Sequence, residues 1–552
     1  MGGPLEDGGQ RGEDHCPLKT VSATVFILDP HEARREACLH TRTTRLRHEP
    51  TPTFLRVTFD RTLSFRQHVA SLKARMVRRC NALRAVGGKA WGASTTDLRS
   101  LYLAYIRACA DYAAAGWMPG VASTTLEQLE VAQRQACRII TGCLRSTPAP
   151  ALEREAEVMP FAIRRRQLTA AATQRHLRDL PGDPLQPVLA AARPRQRLHR
   201  DRGWADTGLS ASSDAGLGDL PREPVLVVPR TPPWGSAAGG VTIRSAVVRP
   251  TKRTDPPDKR LEAAQETLAG LPPADYIIYT DGSATDGVEN GGAGAVVFRG
   301  ATELERIRTP AGRWTSSYRA ELTALDSALA PLLRGAEGPA PREVRVCTDS
   351  QSALRRLAEG PAAQTDVLAD KVWQRLLDLA DRGTHTSLQW VPGHAGLPGN
   401  ELADEIAREA ANLEQRDVPI DLPSAKARLR RHAHREWEQR LQPTRYARQN
   451  GVRRPPLAER LGLSRRECVE AARLRTGHSL MLREYRHRIG LEDDPTCPEC
   501  GLEDETLTHL LTDCPARAEA RRRIFGDDEP EMREALGDPT KLVELLRRLG
   551  RL

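Results

Sequence analysis

The chain has 552 residues and a mass of 60.9 kDa, with a formal charge of +10, a sequence pI near 9.2 and 39% hydrophobic residues. At about 150 residues per domain that length excludes a single compact core, and the basic balance favours a polyanionic partner without choosing between nucleic acid and a membrane surface. No apolar run approaches the roughly 18 residues needed to span a bilayer, residues 1–20 lack an apolar signal core, and eleven cysteines in so long a chain make no disulfide scaffold, so an intracellular protein, nuclear or cytoplasmic, with no membrane partner is expected.

In chain order, residues 1–20 are polar and glycine-rich and are expected to be disordered. Residues 21–26 and 54–59 read as strands. Apolar residues at helical spacing (Val69, Leu72 and Met76; Leu98, Leu101 and Ile106; Leu129, Ala136 and Ile140) then predict a helical region within residues 21–180. The density of Pro, Gly, Arg and Ser marks 181–272 as a flexible linker, with residues 228–235 as its clearest structure-breaking string. Residues 416–490 form a basic helical region whose arginines suit phosphates. A cysteine-histidine module (491–520) and a terminal helix (521–552) follow.

Residues 273–415 hold the chemistry. The run Tyr276 to Thr280 is a strand that stops at Asp281-Gly282-Ser283, and Val344 to Thr348 is another that stops at Asp349-Ser350. Two further strands, 294–298 and 302–308, make a meander with the first, and 387–391 adds a fifth. Glu321 lies on a helix whose stripe is Leu322, Leu325, Leu329 and Leu332, with Thr315, Ser316 and Ser317 as candidate N-caps. Asp404 lies on a closing helix that Asn400 is placed to cap. Carboxyl ends of central strands are where α/β sheets put their sites. Four converging acids repel one another, and a hard divalent cation resolves the repulsion. Two magnesium ions there, with manganese as an alternative, suit in-line phosphoryl displacement, which is nuclease chemistry.

Near the carboxyl end, Cys497, Cys500, His509 and Cys514 are spaced C-x2-C-x8-H-x4-C. Three thiolates and an imidazole suit tetrahedral, structural Zn2+.

The blocks Thr-Asp-Gly-Ser (280–283), Arg-Ala-Glu-Leu (319–322), Thr-Asp-Ser (348–350), Trp-Val-Pro-Gly-His-Ala-Gly (390–396) and Asn-Glu-Leu-Ala-Asp (400–404) resemble the ribonuclease H family. The resemblance implies a ribonuclease H-like α/β domain with a mixed five-stranded sheet, within a multidomain α+β chain. It makes Asp281, Glu321, Asp349 and Asp404 the metal-binding catalytic carboxylates and His394 a loop histidine assisting proton transfer or product release. The implied reaction is endonucleolytic cleavage of the RNA strand of an RNA:DNA hybrid, leaving a 3′ hydroxyl and a 5′ phosphate. Gly282, Ser283, Ser350 and Asn400 are candidate substrate contacts beside their turn and cap roles. Exonucleases of the same general fold carry Asp-x-Glu on the first strand, where this chain has Ser283.

Residues 54–60, 101–107, 111–117 and 129–142 are similar to the region after the palm in reverse transcriptases of non-LTR, ingi-like retrotransposons. That resemblance implies a thumb and connection remnant over 21–180, a zinc knuckle over 491–520, and a full-length retroelement protein as a further partner. Arg56 stands where that family has glycine. Asp493-Asp494 and Asp527-Asp528 lack flanking strands, so no polymerase activity is expected. A catalytically inactive nucleic-acid-binding relic is the alternative to a working nuclease.

Overall fold

The computed structural model describes residues 21–22, 38–41, 44–178, 183–192, 203–226, 229–232, 239–334, 340–415, 417–453 and 462–552. Residues 1–20, the expected strand residues 23–26, and 228 and 233–235 of the structure-breaking string lie outside the described residues. The chain divides into two compact units, one made of Met1–Thr169, Arg195–Trp204 and Ala433–Leu552, the other of Ala170–Pro194 and Ala205–His432.

The second unit is built on a sheet of strands β1 (Val241–Arg244), β2 (Tyr276–Thr285), β3 (Glu289–Arg299), β4 (Thr302–Gly312), β5 (Glu343–Thr348) and β6 (His385–Trp390). Their order is β4-β3-β2-β5-β6-β1. The meander β2-β3-β4 is antiparallel, whereas β2, β5, β6 and β1 run parallel. The helices are α1 (Pro257–Ala269), α2 (Ser317–Arg334), α3 (Gln351–Leu357), α4 (Val367–Asp381), α5 (Pro398–Ala411) and α6 (Leu422–Leu441), the last running on past the unit's end. Alternation along the central strands divides the core in two. Ile278, Val344 and Val346 face α2 and α4 through Leu322, Leu325, Val372 and Leu376. Ile277, Tyr279 and Cys347 face Leu261, Ala264 and Leu268 of α1. Each such leucine, taken out of water, contributes about 2 kcal/mol. Ser316 accepts a hydrogen bond from the Arg319 amide at the start of α2, and Asp366 caps α4 through the Leu368 and Ala369 amides.

The five-stranded expectation is corrected to six. The sixth strand, β1, comes from the expected linker, as does α1. Val-Thr-Ile-Arg is a short β-branched run hidden among Pro, Gly and Arg, and it covers the edge that β6 would otherwise expose. Helices Gln186–Ala191 and Trp204–Asp214 also fall inside the expected linker. Composition alone cannot register short apolar faces that find a partner.

The first unit is mainly helical, with a core that includes Leu72, Met76, Ile106, Trp117, Leu129 and Ile140. The strand expected over 54–59 is instead a hairpin, Thr53–Phe54 against Val57–Thr58. Leu55 and Arg56 turn it with φ of 46° and 67°. That left-handed conformation costs a side-chain-bearing residue about 1–2 kcal/mol and glycine almost nothing. The single terminal helix expected over 521–552 is three, Ala518–Phe525, Met532–Gly537 and Pro539–Arg548. Gly526 (φ 86°) ends the first, and Asp538 caps the third through the Thr540 and Lys541 amides. Much of the charge in the basic region is engaged internally. Arg428 and Arg431 pair with Glu289 and Asp286 in the second unit. Arg475 and Arg473, buried in the first, pair with Glu155 and Glu470.

Candidate active site

Two adjacent parallel strands set the first two carboxylates. Thr280 of β2 lies in register with Thr348 of β5, and an aspartate follows each, so Asp281 and Asp349 stand side by side where the parallel pairing of the two strands ends. The strand β2, expected to stop at Asp281, runs on to Thr285 paired with β3. Glu321 comes from the second turn of α2. Its closeness depends on Gly282, where a Cβ would overlap the Glu321 amide nitrogen and the Ala320 carbonyl carbon. Asp404 comes from α5, which lies so close to β3 that a Cβ on Gly292 or Gly294 would overlap the helix backbone at Ala407 and Ala403.

One oxygen from each of Asp281, Glu321 and Asp349 lies within 4.8 Å of the others, and ligand atoms of His394, Glu401 and Asp404 form a second group within the same limit. The carboxyl groups of Asp281 and Asp404, each acting on the other's titration, link the two groups. Burial, with the charges of Asp349 and Asp404, pushes the Asp281 carboxyl up to about 7. Glu321 is raised well above the usual carboxylate range, first by burial and then by Asp281 and Asp349. Burial also raises Asp349, against the pull of His394. Asp404 is the exception. Burial would raise it too, but hydrogen bonding and charge from Arg408 outweigh that and hold it below the usual range. Arg408 grips both Asp404 oxygens, at 3.0 and 2.5 Å, from an exposed position. The Oε2 atom of Glu321 is buried without a hydrogen bond. A crowded set of hard oxygens with one unsatisfied fits a divalent cation and nothing softer.

His394 is exposed, with Nδ1 3.6 Å from Asp404 Oδ2. Ser283 pairs with Gly292 at the β2–β3 edge. Ser350 opens α3, its hydroxyl 3.4 Å from that of Ser352 and its amide donating to Thr348 Oγ1. Asn400 is not the cap of α5: Leu397 holds that position with Pro398 at the first turn, and Asn400 is buried with Oδ1 unpaired. Sequence reasoning gave Glu401 and Arg408 no role. Their signal was spacing, since positions three before and four after Asp404 share its helix face. Glu401 also accepts from the Gly396 amide at 3.0 Å, tying the histidine loop to α5. Asp493-Asp494 and Asp527-Asp528 lie outside any strand, with Asp528 paired to Arg522.

In the first unit, ligand atoms of Cys497, Cys500, His509 and Cys514 also lie within 4.8 Å of one another. Cys500 Sγ is 3.3 Å from His509 Nε2, and Cys497 Sγ is 3.9 Å from Cys514 Sγ. The other ring nitrogen of His509 is buried without a hydrogen bond, with the carboxylate of the exposed Glu503 3.4 Å away. A hydrogen bond from the Leu502 amide lowers the Cys500 thiol to about 7, toward the thiolate a metal needs.

The family model described as RNase H matches residues 273–412. A ribonuclease H of Polaromonas naphthalenivorans is 35% identical over 158 residues, 27% of this chain and 92% of the relative. One of Cupriavidus necator is 39% identical over 143 residues, 24% of this chain and 92% of the relative. Among solved structures, the amino-terminal RNase H domain of a Mycobacterium tuberculosis protein is 22% identical, with 25% of this chain and 98% of that one covered and a TM-score of 0.21. With the matched segment spanning nearly the full length of these relatives, the chain belongs to the ribonuclease H family of hydrolases.

Proposed function

We propose that the chain cleaves the RNA strand of RNA:DNA hybrids endonucleolytically, using two magnesium ions, replaceable by manganese, held by Asp281, Glu321, Asp349 and Asp404. The observation that carries this reading is the triad of Asp281, Glu321 and the half-buried Asp349, with oxygens within 4.8 Å and one Glu321 oxygen unsatisfied. Such ions, when bound, supply a polarised water and neutralise charge on the leaving oxygen. The chain's own residues do the rest. Asp281, within β2, and Asp349, just past β5, fix the centre on the sheet, and Glu321 closes it from α2. Asp404 joins it from α5 once Arg408 yields. His394, on its exposed loop, moves a proton at the edge of the site. Ser283 and Ser350 border the acids and offer hydroxyls to the substrate, and Gly282 and Asn400 complete the set of substrate contacts. The test is labelled hybrid, with single-stranded RNA and duplex DNA as controls, for wild type and Asp349→Asn. Cutting confined to the hybrid and lost in the variant supports the reading; hybrid binding without cutting in wild type leaves the inactive relic.

Arg408 competes with a cation for Asp404. Arg408→Ala is expected to lower the Mg2+ concentration for half-maximal cleavage about two- to fivefold, read from a metal titration of the initial rate.

The Cys497, Cys500, His509 and Cys514 set is proposed to hold one structural Zn2+. Leu507, Leu510 and Leu511 beside these ligands belong to the same core as Phe525, Leu542 and Leu546. Removing zinc with a chelator from reduced protein is therefore expected to loosen the three terminal helices as well as the ligand loop, seen as faster hydrogen exchange throughout residues 497–548. Metal analysis of untreated protein should give one zinc per chain.

The retroelement context, with a full-length retroelement protein as partner, rests on the order of motifs. In that reading the isolated chain gives no product in a primer-extension assay.

A further inference from the structure

We infer that Arg260, on a helix preceding the family-matched segment, sets the backbone conformation of His394 and so positions its imidazole; this rests on the nuclease reading above. Arg260 projects from α1 and donates to the Gly393 carbonyl at 3.0 Å and the His394 carbonyl at 3.2 Å. Those carbonyls belong to the two peptide planes flanking the His394 Cα, and the orientation of the two planes is what φ and ψ describe. One planar guanidinium, with donors fixed relative to each other, thus holds both dihedrals of one residue.

His394 needs such a hold. Its φ is 50°, a left-handed conformation that persists in a histidine only where the surroundings impose it. In that conformation Nδ1 lies 3.6 Å from Asp404 Oδ2. The clamp itself is anchored. Leu261, Ala264 and Leu268 of α1 pack with Cys347, Val391 and Leu397, which ties the helix to β5 and to both ends of the histidine loop. Arg260 Nε is buried without a hydrogen bond, and the Gly393 contact is part-buried while the His394 contact is exposed. A segment read from sequence as linker therefore completes the loop that carries the proton-transferring residue. Arg260 touches no reacting atom, so its role is positioning.

The experiment uses the full chain as wild type, Arg260→Ala, Arg260→Lys, His394→Ala and the Arg260→Ala/His394→Ala double variant. Hybrid cleavage, melting temperature and hydrogen exchange of residues 392–397 are measured for each. Arg260→Ala is expected to lower kcat about tenfold with KM within about twofold, at little change in melting temperature and with faster exchange in the loop. Arg260→Lys loses nearly as much, because an ammonium cannot hold two peptide planes at once. In the His394→Ala background, Arg260→Ala costs nothing further. An equal fold-loss in both backgrounds overturns the inference, as does unchanged loop exchange in Arg260→Ala. If wild type cuts no hybrid, the proposed function fails, and loop exchange still decides whether Arg260 is the clamp.

Discussion

Glu321→Gln is expected to abolish hybrid cleavage, by about a thousandfold or more in kcat, while raising the melting temperature of the metal-free protein at pH 8. Both effects have one cause. Two buried carboxylates and the half-buried Asp349 are forced together, and without metal their charges oppose folding. Asp281 is pushed up to about 7 and Glu321 and Asp349 are raised as well. The folded state therefore holds protons that the unfolded chain releases near its ordinary carboxylate values of about 4. Where the native state binds more protons, stability falls as pH rises. The favourable contribution is complete below the unfolded value and is lost as pH climbs through about 7 for Asp281. Metal-free wild type should thus melt lower at pH 8 than at pH 6, and added Mg2+ should raise the melting temperature more at pH 8. In Glu321→Gln one neutral amide replaces one charge, so the pH dependence and the response to Mg2+ both shrink. A variant that loses activity and stability together at pH 8 would show that Glu321 serves packing instead.

Gly282→Ala should remove activity almost as completely without touching a carboxylate. Its added methyl has no space, because the atoms in its way are backbone of α2 at Ala320 and Glu321. The helix must shift away from β2, carrying Glu321 from Asp281 and Asp349. Overpacking of this kind costs about 1–3 kcal/mol, and displacement of one ligand by an ångström costs about a hundredfold in rate. Ala295→Gly, a buried change on the neighbouring strand, is the control: it lowers stability and leaves the carboxylate spacing alone. Cleavage near the wild-type rate in Gly282→Ala would mean that α2 does not position the site.

The parts of the site legible in the sequence were those with a local signature. Asp281 and Asp349 each end an apolar run with the same Thr-Asp step, and the structure places those steps in register. Glu321 and Asp404 were legible only through family blocks, since nothing local distinguishes a helical acid at a metal centre from one on a solvated face. The glycines that let α2 and α5 approach the sheet gave a composition signal but no geometry. The strand β1 and helix α1 were not legible. Four β-branched or polar residues and a thirteen-residue helix sit in surroundings rich in Pro and Arg, and what stabilises them is the open edge of β6 and the far face of β5. Arg260 was hidden for a related reason. A backbone partner 133 residues away leaves no mark on spacing, whereas Arg408, four residues after Asp404 on the same helix face, was open to such a reading.

The most direct measurement is anomalous diffraction from crystals of the protein grown with a non-cleavable RNA:DNA hybrid and Mn2+. The account predicts two manganese peaks, one bounded by Asp281, Glu321 and Asp349 and a second reaching Asp404, with the Arg408 guanidinium displaced. A bound hybrid with no peak among these carboxylates, or with manganese only at surface acids, would contradict it.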